Sequence, residues 1–329
     1  MSITLIYSFY FASLKADEYI SGILSGDRVR LAQALTLVES NLDQDRHLAD
    51  EILNACLSHS GNSQRIAISG APGVGKSTFI EAYGIELIEQ GHRIAVLAID
   101  PSSQNTGGSI LGDKTRMQKL SSHEMAFIRP SPAADALGGV AHRTRESILL
   151  CEAAGYTKIL IETVGVGQSE IAAAHMSDLY MVLVLAGAGD ELQGIKRGII
   201  EMADILIVHK ADGENIEAAK RARQSYLNAL HLYPAKSSGQ NVDVRTHSSM
   251  NDEGIAGLHN AISKYFEAVQ QSGYFEEKRK QQVLHWLDDA LMLEIRKKYM
   301  KADGKYLKIR EKVASGELHP TLAAKLITS

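Results

Sequence analysis

Residues 70–77 read Gly-Ala-Pro-Gly-Val-Gly-Lys-Ser and complete the phosphate-loop pattern GxxxxGK[ST], which predicts a site for a nucleoside triphosphate. The pattern predicts that the Lys76 ammonium reaches the β and γ oxygens and that the Ser77 hydroxyl binds Mg²⁺. An apolar run precedes the loop and a helical pattern follows it, as the motif requires. A glycine-rich turn without a ligand is the alternative interpretation. We expect these residues to bind the nucleotide: Gly73, Val74, Gly75, Lys76, Ser77 and Thr78.

The segment "HKADG", residues 209–213, bears on which base is bound. Guanine-selective switches carry NKxD here, and the Asp accepts hydrogen bonds from the guanine N1–H and amine, a pair of donors that adenine lacks. Lys210 and Asp212 fit the pattern, but His209 takes the Asn position. A neutral imidazole could donate from one nitrogen towards the base. It cannot reproduce both the hydrogen-bond donor and the acceptor that an Asn amide holds in one plane. We therefore expect His209 to lower guanine affinity more than selectivity.

A second segment supports the base site. Ser248 and Ser249 follow the last apolar run, where a backbone N–H could meet the guanine oxygen. Without that context, a Lys-Ala-Asp turn that simply ends a strand is the alternative.

Acidic residues at two further strand ends predict the metal site. Asp100 ends one apolar run and opens a polar, glycine-rich stretch typical of a switch segment. Glu162 ends another, and Gly165 follows three positions later, where its N–H could sense the γ-phosphate. Either Asp113 or Gln168 could orient the attacking water, and the spacing leaves this open. Acidic residues also commonly end strands without any ligand.

The elements that position these residues follow from hydrophobic patterning. From residue 65 onward, short continuous apolar runs alternate with helical stretches, as in a mostly parallel sheet covered by helices on both faces. The fold class predicted is therefore α/β, a P-loop NTPase. Three parts are expected: a helical extension over 1–60, the nucleotide domain over 61–272, and a helical segment over 273–329 in which apolar residues recur at i, i+4.

Composition excludes several other classes. The net charge is −4, which gives no basic surplus for nucleic acid. The apolar stretch over residues 3–12 is too short to span a bilayer, so no membrane association is expected. The two cysteines, Cys56 and Cys151, form no CxxC pair, which favours a reducing compartment and a cytoplasmic protein.

The stretch over about 25–325 has a strong family likeness. It is carried by the residues quoted above and by four further segments: "DPSSQNTGGSILGDKTRM", "FIRPSPAADALGGVAHRTRES", "IETVGVGQSE" and "AGAGDELQGIKRGI". The stretch resembles the MeaB/ArgK family of GTPases, whose relatives include the methylmalonic aciduria type A protein. The resemblance implies a Mg²⁺-dependent homodimer that hydrolyses GTP to GDP and phosphate. It also implies a G-protein chaperone of an adenosylcobalamin-dependent acyl-CoA mutase, such as methylmalonyl-CoA mutase, that gates cofactor loading and protects the mutase.

The resemblance also implies residue roles. Lys196, in the segment 189–198, would link the nucleotide state to the mutase, and the C-terminal helices would form the dimerisation arm. Two positions depart from the family pattern: His209 replaces Asn, and Ser249 stands where Ala is usual. Four residues would serve the metal and its waters: Ser77, Asp100, Asp113 and Glu162. The implied catalytic set is Lys76, Asp113 and Lys196.

Other functions stay open at this stage. A nickel-insertion GTPase shares the architecture, but it would carry a His-rich tract, and the histidines here are scattered. A transport-system kinase of the ArgK type, for lysine, arginine and ornithine transport, is the second alternative, although no HRD-type catalytic loop occurs. A partition-type ATPase would need a second Lys early in its phosphate loop. A pure binding module would follow if His209 abolished nucleotide binding.

Overall fold

The computed structural model describes residues 15–99, 117–130, 137–163, 168–186, 197–249, 254–300 and 304–328. The chain divides into two compact units, one ending at Arg279 and the other comprising Lys280–Ser329. The predicted three-part division stays a prediction. No helix within the described ranges has both the length and the apolar character needed to cross a membrane.

Seven parallel strands form one sheet in the first unit, in the order β3-β2-β4-β1-β5-β6-β7. The first six lie where apolar runs predict them, because strands covered on both faces need apolar residues at successive positions. The short strand β7, with the sequence DVRT, carries no such run. The α/β fold class is confirmed. The strands are β1 (Gln64–Gly70), β2 (Ile94–Ile99), β3 (Ala126–Arg129), β4 (Lys158–Thr163), β5 (Leu179–Leu185), β6 (Ile205–His209) and β7 (Asp243–Thr246).

Helices precede, connect and follow these strands. In the first unit, the side chains of Phe79 and Tyr83 pack with Ile66 and Ile68 of β1 in one buried core. The helices are α1 (Ala16–Leu24), α2 (Arg28–Glu39), α3 (Asp43–Cys56), α4 (Lys76–Glu89), α5 (Gln118–Ser122), α6 (Leu137–Ala153), α7 (Gln168–Ala174), α8 (Arg197–Met202), α9 (Ile216–Leu230), α10 (Ile255–Gln271), α11 (Tyr274–Tyr299), α12 (Gly304–Ala314) and α13 (Pro320–Thr328).

The N-terminal helices α1–α3 pack within the same compact unit as the sheet. Arg46 of α3 pairs with Glu146 of α6 at 2.9 Å between Nη2 and Oε1. Cys56 at the end of α3 and Cys151 in α6 are both free thiols and fully buried. The helical extension therefore contributes to the core that supports the sheet.

The second unit is helical and exposes apolar side chains along α11. Leu287 is 62% exposed and Leu291 is 55% exposed. The predicted i, i+4 stripe is thus a solvent-facing surface of this helix, which we call the α11 apolar face. It comprises Val283, Leu284, Leu287, Leu291, Met292 and Ile295.

A buried ionic network fastens the amino-terminal edge of the sheet. Asp178, just before β5, accepts from Arg279 Nε at 2.5 Å and Nη2 at 2.7 Å, and from the Arg65 backbone N–H at 2.7 Å. Glu152 accepts from Arg65 at 2.8 and 2.9 Å and from the Ser63 hydroxyl at 2.5 Å. Burial raises the pKa of Glu152, but Arg65, Ser63 and Arg279 outweigh it, so the net pKa is lowered. The Glu152 carboxylate is therefore held ionised in the interior.

We expect Asp178→Ala to destabilise the first unit by about 3–5 kcal/mol, because it leaves the buried Arg279 guanidinium without its main counter-charge. The measurement is the urea midpoint followed by circular dichroism. The matched control is Lys220→Ala, which breaks the exposed Lys220–Glu217 pair and should leave the midpoint unchanged. Equal midpoints for wild type and Asp178→Ala would contradict this account of the network.

Candidate functional site

The phosphate loop joins the end of β1 to the start of α4 and turns at a glycine. Gly75 is the residue before α4 and has φ 104°, in the region that favours glycine. A Cβ there would lie 2.6 Å from His209 Cε1, closer than non-bonded atoms approach. Both the backbone angle and the neighbouring imidazole therefore require glycine at this position.

The backbone N–H groups in the first turn of α4 could bind a ligand. The N–H groups of Lys76, Ser77 and Thr78 lie in that turn, so they have no carbonyl partner within the helix. Free N–H groups and the positive end of the helix dipole favour an anion such as phosphate. The local geometry is that of the predicted phosphate site.

Side-chain donors bind the carbonyls of the same loop. The Lys76 ammonium donates to Gly70 O at 2.7 Å and to Ala71 O at 3.1 Å. Lys210 Nζ donates to Gly73 O at 3.0 Å. These bonds hold the loop in place, in addition to the backbone bond that Ala71 O accepts from the Val74 N–H at 3.3 Å.

Two carboxylates act on the charge of Lys76. Burial lowers the pKa of Lys76, while Glu162 and Glu170 oppose that effect. Glu170 lies in α7 and is fully buried. Sequence reasoning missed it, because the segment "GQSE" belongs to no motif that marks a buried acid. The two carboxylates favour the charged ammonium that phosphate binding needs.

The predicted metal residues Ser77 and Glu162 lie side by side. The Ser77 hydroxyl donates to Glu162 Oε1 at 3.0 Å. They meet because β1 and β4 are adjacent parallel strands, with Ile68 paired to Glu162. A hydroxyl and a carboxylate are the hard oxygen donors that Mg²⁺ prefers. This pair fits Mg²⁺, and its role in metal binding stays a prediction.

Residues 209–213, the segment predicted to face the base, are hydrogen-bonded to the loop after β7. The Asp212 carboxylate accepts a hydrogen bond from the Ser248 hydroxyl at 2.6 Å. The backbone N–H of Ala211 donates to His247 O at 3.1 Å. Lys210 has φ 57°, a left-handed conformation that a side chain disfavours. The structure thus brings together the residues that the sequence assigns to guanine.

His209 has a different environment from the one expected. Its side chain is almost fully buried, with Nδ1 2.8 Å from Val74 O and Nε2 2.9 Å from Ser249 Oγ. The sequence suggests a ring nitrogen that donates towards the base, but both nitrogens have protein partners instead. The ring reaches Val74 because Gly75 has no side chain in the way.

Several predicted residues lie outside the described part of the chain. They are Asp100, Asp113, Gly165 and Lys196. Gln168 begins α7, but the structure does not describe its side chain. The choice between Asp113 and Gln168 for orienting water therefore stays open.

Comparison with known proteins gives a consistent result. A family model described as "Methylmalonyl Co-A mutase-associated GTPase MeaB" matches residues 31–304. A probable GTPase of Mycobacterium tuberculosis is 45% identical, over 94% of this chain and 94% of that protein. GTPase ArgK of Escherichia coli is 47% identical, over 82% of each chain.

Two further matches extend the likeness. The mouse protein named methylmalonic aciduria type A homolog, mitochondrial, is 43% identical over 94% of this chain and 78% of that protein. A crystal structure titled "LAO/AO transport system kinase" superposes with a TM-score of 0.75 at 36% identity, covering 95% of this chain and 96% of that one. These matches confirm the family resemblance drawn from the sequence.

The Ser77–Glu162 pair predicts how metal affects nucleotide binding. We expect Ser77→Ala to weaken Mg²⁺ binding by at least about 10- to 100-fold, the loss seen when a residue that merely orients a metal ligand is removed. GDP affinity in EDTA should match that of wild type, whereas the gain on adding Mg²⁺ should be lost. Calorimetric titration of GDP with and without Mg²⁺ measures both.

Ser225→Ala is the matched control. Ser225 is exposed on α9, and its hydroxyl donates to the Arg221 carbonyl of the same helix. This control should bind GDP and Mg²⁺ as wild type does. An unchanged Mg²⁺ response in Ser77→Ala would contradict the metal role of Ser77.

Proposed function

Because this chain belongs to the MeaB family of GTPases and hydrolyses GTP, we propose that it is a chaperone of an adenosylcobalamin-dependent acyl-CoA mutase. In this proposal the GTP site uses Mg²⁺, and the mutase is of the methylmalonyl-CoA type. The protein would gate cofactor loading and protect the mutase. The observation that carries the proposal is the family match over residues 31–304.

The names of the relatives support the proposal from two directions. The family description links its members to methylmalonyl-CoA mutase. The mouse relative is named for methylmalonic aciduria. Because similarity to that relative extends over 94% of this chain, it includes the site as well as the flanking helices.

The described residues suggest how the site would handle GTP. The α4 N–H groups would bind the phosphates, and the Lys76 ammonium would exchange its loop carbonyls for β and γ oxygens. Asp212 would accept from guanine, held in place by Ser248. Mg²⁺, when bound to Ser77 and Glu162, would neutralise charge that develops on the transferred phosphoryl group. Lys76 would add a fixed positive charge on the same group.

The test is stimulation of GTP hydrolysis by the purified mutase from the same cell. A catalytic group supplied by a partner accelerates GTP hydrolysis by about 10³ to 10⁵ in other GTPases. We expect the mutase to raise the rate of GTP hydrolysis at least about tenfold. The complex should also form more readily with a non-hydrolysable GTP analogue than with GDP. Lys76→Ala is the control and should hydrolyse no GTP with or without mutase.

Failure of the mutase to bind or to change the rate would contradict the chaperone proposal. The transport-kinase alternative is tested in the same assay, because one solved relative carries that title. Transfer of γ-labelled phosphate to a periplasmic amino-acid-binding protein would favour it over the chaperone.

We also propose that the protein is a homodimer held through the α11 apolar face. An apolar helix face in contact with water favours a partner surface, and this one extends over about four turns. A second copy of the chain would cover it with an identical surface, as two-fold symmetric interfaces do. A cytoplasmic location is proposed from the free, buried cysteines and the sequence composition.

The dimer prediction concerns Leu287 and Leu291. Replacing both by Lys places two charges in the apolar face, and we expect a monomer with the chain mass of 35.8 kDa in light scattering. Wild type should show twice that mass. Asp289→Lys is the control, because position 289 lies about 160° around the helix from Leu287, and it should remain dimeric. A double Lys variant that stays dimeric would contradict the proposed interface.

A further inference from the structure

Two residues from the ends of neighbouring strands, His209 and Ser249, contact each other. His209 ends β6, Ser249 follows β7, and a hydrogen bond of 2.9 Å joins His209 Nε2 to Ser249 Oγ. The other ring nitrogen is 2.8 Å from Val74 O in the phosphate loop. The His209 imidazole therefore connects the phosphate loop to the loop that follows β7, which lies on the base side of the site.

The partners of the ring determine which nitrogen carries the proton when the ring is neutral. A backbone carbonyl can only accept a hydrogen bond, so Nδ1 must carry a proton to donate to Val74 O. In the neutral ring Nε2 is then an acceptor, and the Ser249 hydroxyl donates to it. Because burial disfavours a second proton on the ring, the arrangement is that of neutral His209 with hydrogen on Nδ1.

We propose that neutral His209 is a positioning residue, which together with Ser249 holds the phosphate loop and the base-side loops at the spacing that a guanine nucleotide requires. One nucleotide must contact both loops at once. Fixing their separation before binding removes an ordering cost that the ligand would otherwise bear. The inference rests on the GTP site proposed above.

The surroundings of His209 oppose a second proton on the ring. Burial is the main cause that lowers the pKa of His209, and the Lys210 ammonium adds to it. The Val74 carbonyl and the Asp212 carboxylate act in the opposite direction. The Lys76 ammonium, on α4, faces Gly70 O and Ala71 O.

A second histidine packs against the ring. His247 stacks on His209 with ring centroids 5.4 Å apart and planes 13° apart. Burial, and then His209, lower the pKa of His247 to about 4. His247 therefore stays neutral through the mildly acidic range, and Phe79 packs edge-on against both rings.

The consequence of acid follows from the tautomer. Protonation places a hydrogen on Nε2, so the bond to Ser249 must reverse: the ring then donates, and the hydroxyl proton needs another acceptor. It also places a positive charge on a buried ring near the Lys210 ammonium. The folded state resists this proton and the unfolded chain does not, so stability also falls as pH drops below about 6.5. Nucleotide affinity should fall over the same range.

The test is a double-mutant cycle of Ser249→Ala and His209→Asn, read as GDP affinity at pH 7.5 with Mg²⁺. An Asn side chain has a donor where His has Nδ1 but no atom where His has Nε2. It can keep the bond to Val74 and must lose the one to Ser249. In wild type, Ser249→Ala should weaken GDP binding about two- to tenfold, the value of one hydrogen bond. In the His209→Asn background the same substitution should have no effect.

A pH profile separates positioning from simple packing. Wild type should lose GDP affinity between pH 7.5 and 5.0 more steeply than His209→Asn, which cannot titrate at this position. Titration of the GDP phosphates is common to both and cancels in the comparison. His209→Gln is a second non-titrating variant, and thermal melts at each pH establish that the compared proteins are folded.

The outcomes are distinguishable. Equal effects of Ser249→Ala in both backgrounds, or equal pH profiles, overturn this inference while leaving the GTP site intact. Wild type that fails to bind GDP overturns the proposed site and this inference together. A non-additive cycle with a steeper wild-type profile supports it.

Discussion

The phosphate loop depends on one constraint: N–H groups that face a ligand leave the carbonyls of the same tight loop in need of other donors. The structure supplies side-chain donors, in addition to the Val74 N–H that bonds to Ala71 O. Lys76 serves Gly70 and Ala71 from within the loop, whereas Lys210 and His209 reach Gly73 and Val74 from the end of β6. The segment that would recognise the base therefore also supports the loop that would bind phosphate.

The sequence predicts the sheet well because its strands are buried on both faces. A run such as "LYMVLVLA" is apolar throughout, and its short length favours a strand over a buried helix. The pairing of Ser77 with Glu162 is predictable for a related reason. Parallel strands end at one edge, so residues that follow β1 and end β4 must meet there.

Side-chain partners far apart in sequence could not be predicted in this way. Asp178 and Arg279 are 101 residues apart, and no periodicity indicates that they form a buried pair. The same holds for Glu170 near Lys76. The environment of His209 depends on the missing side chain of Gly75 and on Ser249, 40 residues away. Motifs identify which residues matter, whereas tertiary packing decides what each one touches.

The buried thiols have a practical consequence for measuring motion in this protein. Cys56 and Cys151 are the chain's two cysteines, and burial raises the pKa of both, that of Cys56 to about 11. Thiolates react with maleimides and spin labels, so both native positions are protected at neutral pH by protonation and by inaccessibility. A cysteine introduced at the surface would be labelled selectively. Fluorescence or electron-spin distances could then be recorded without removing either native residue.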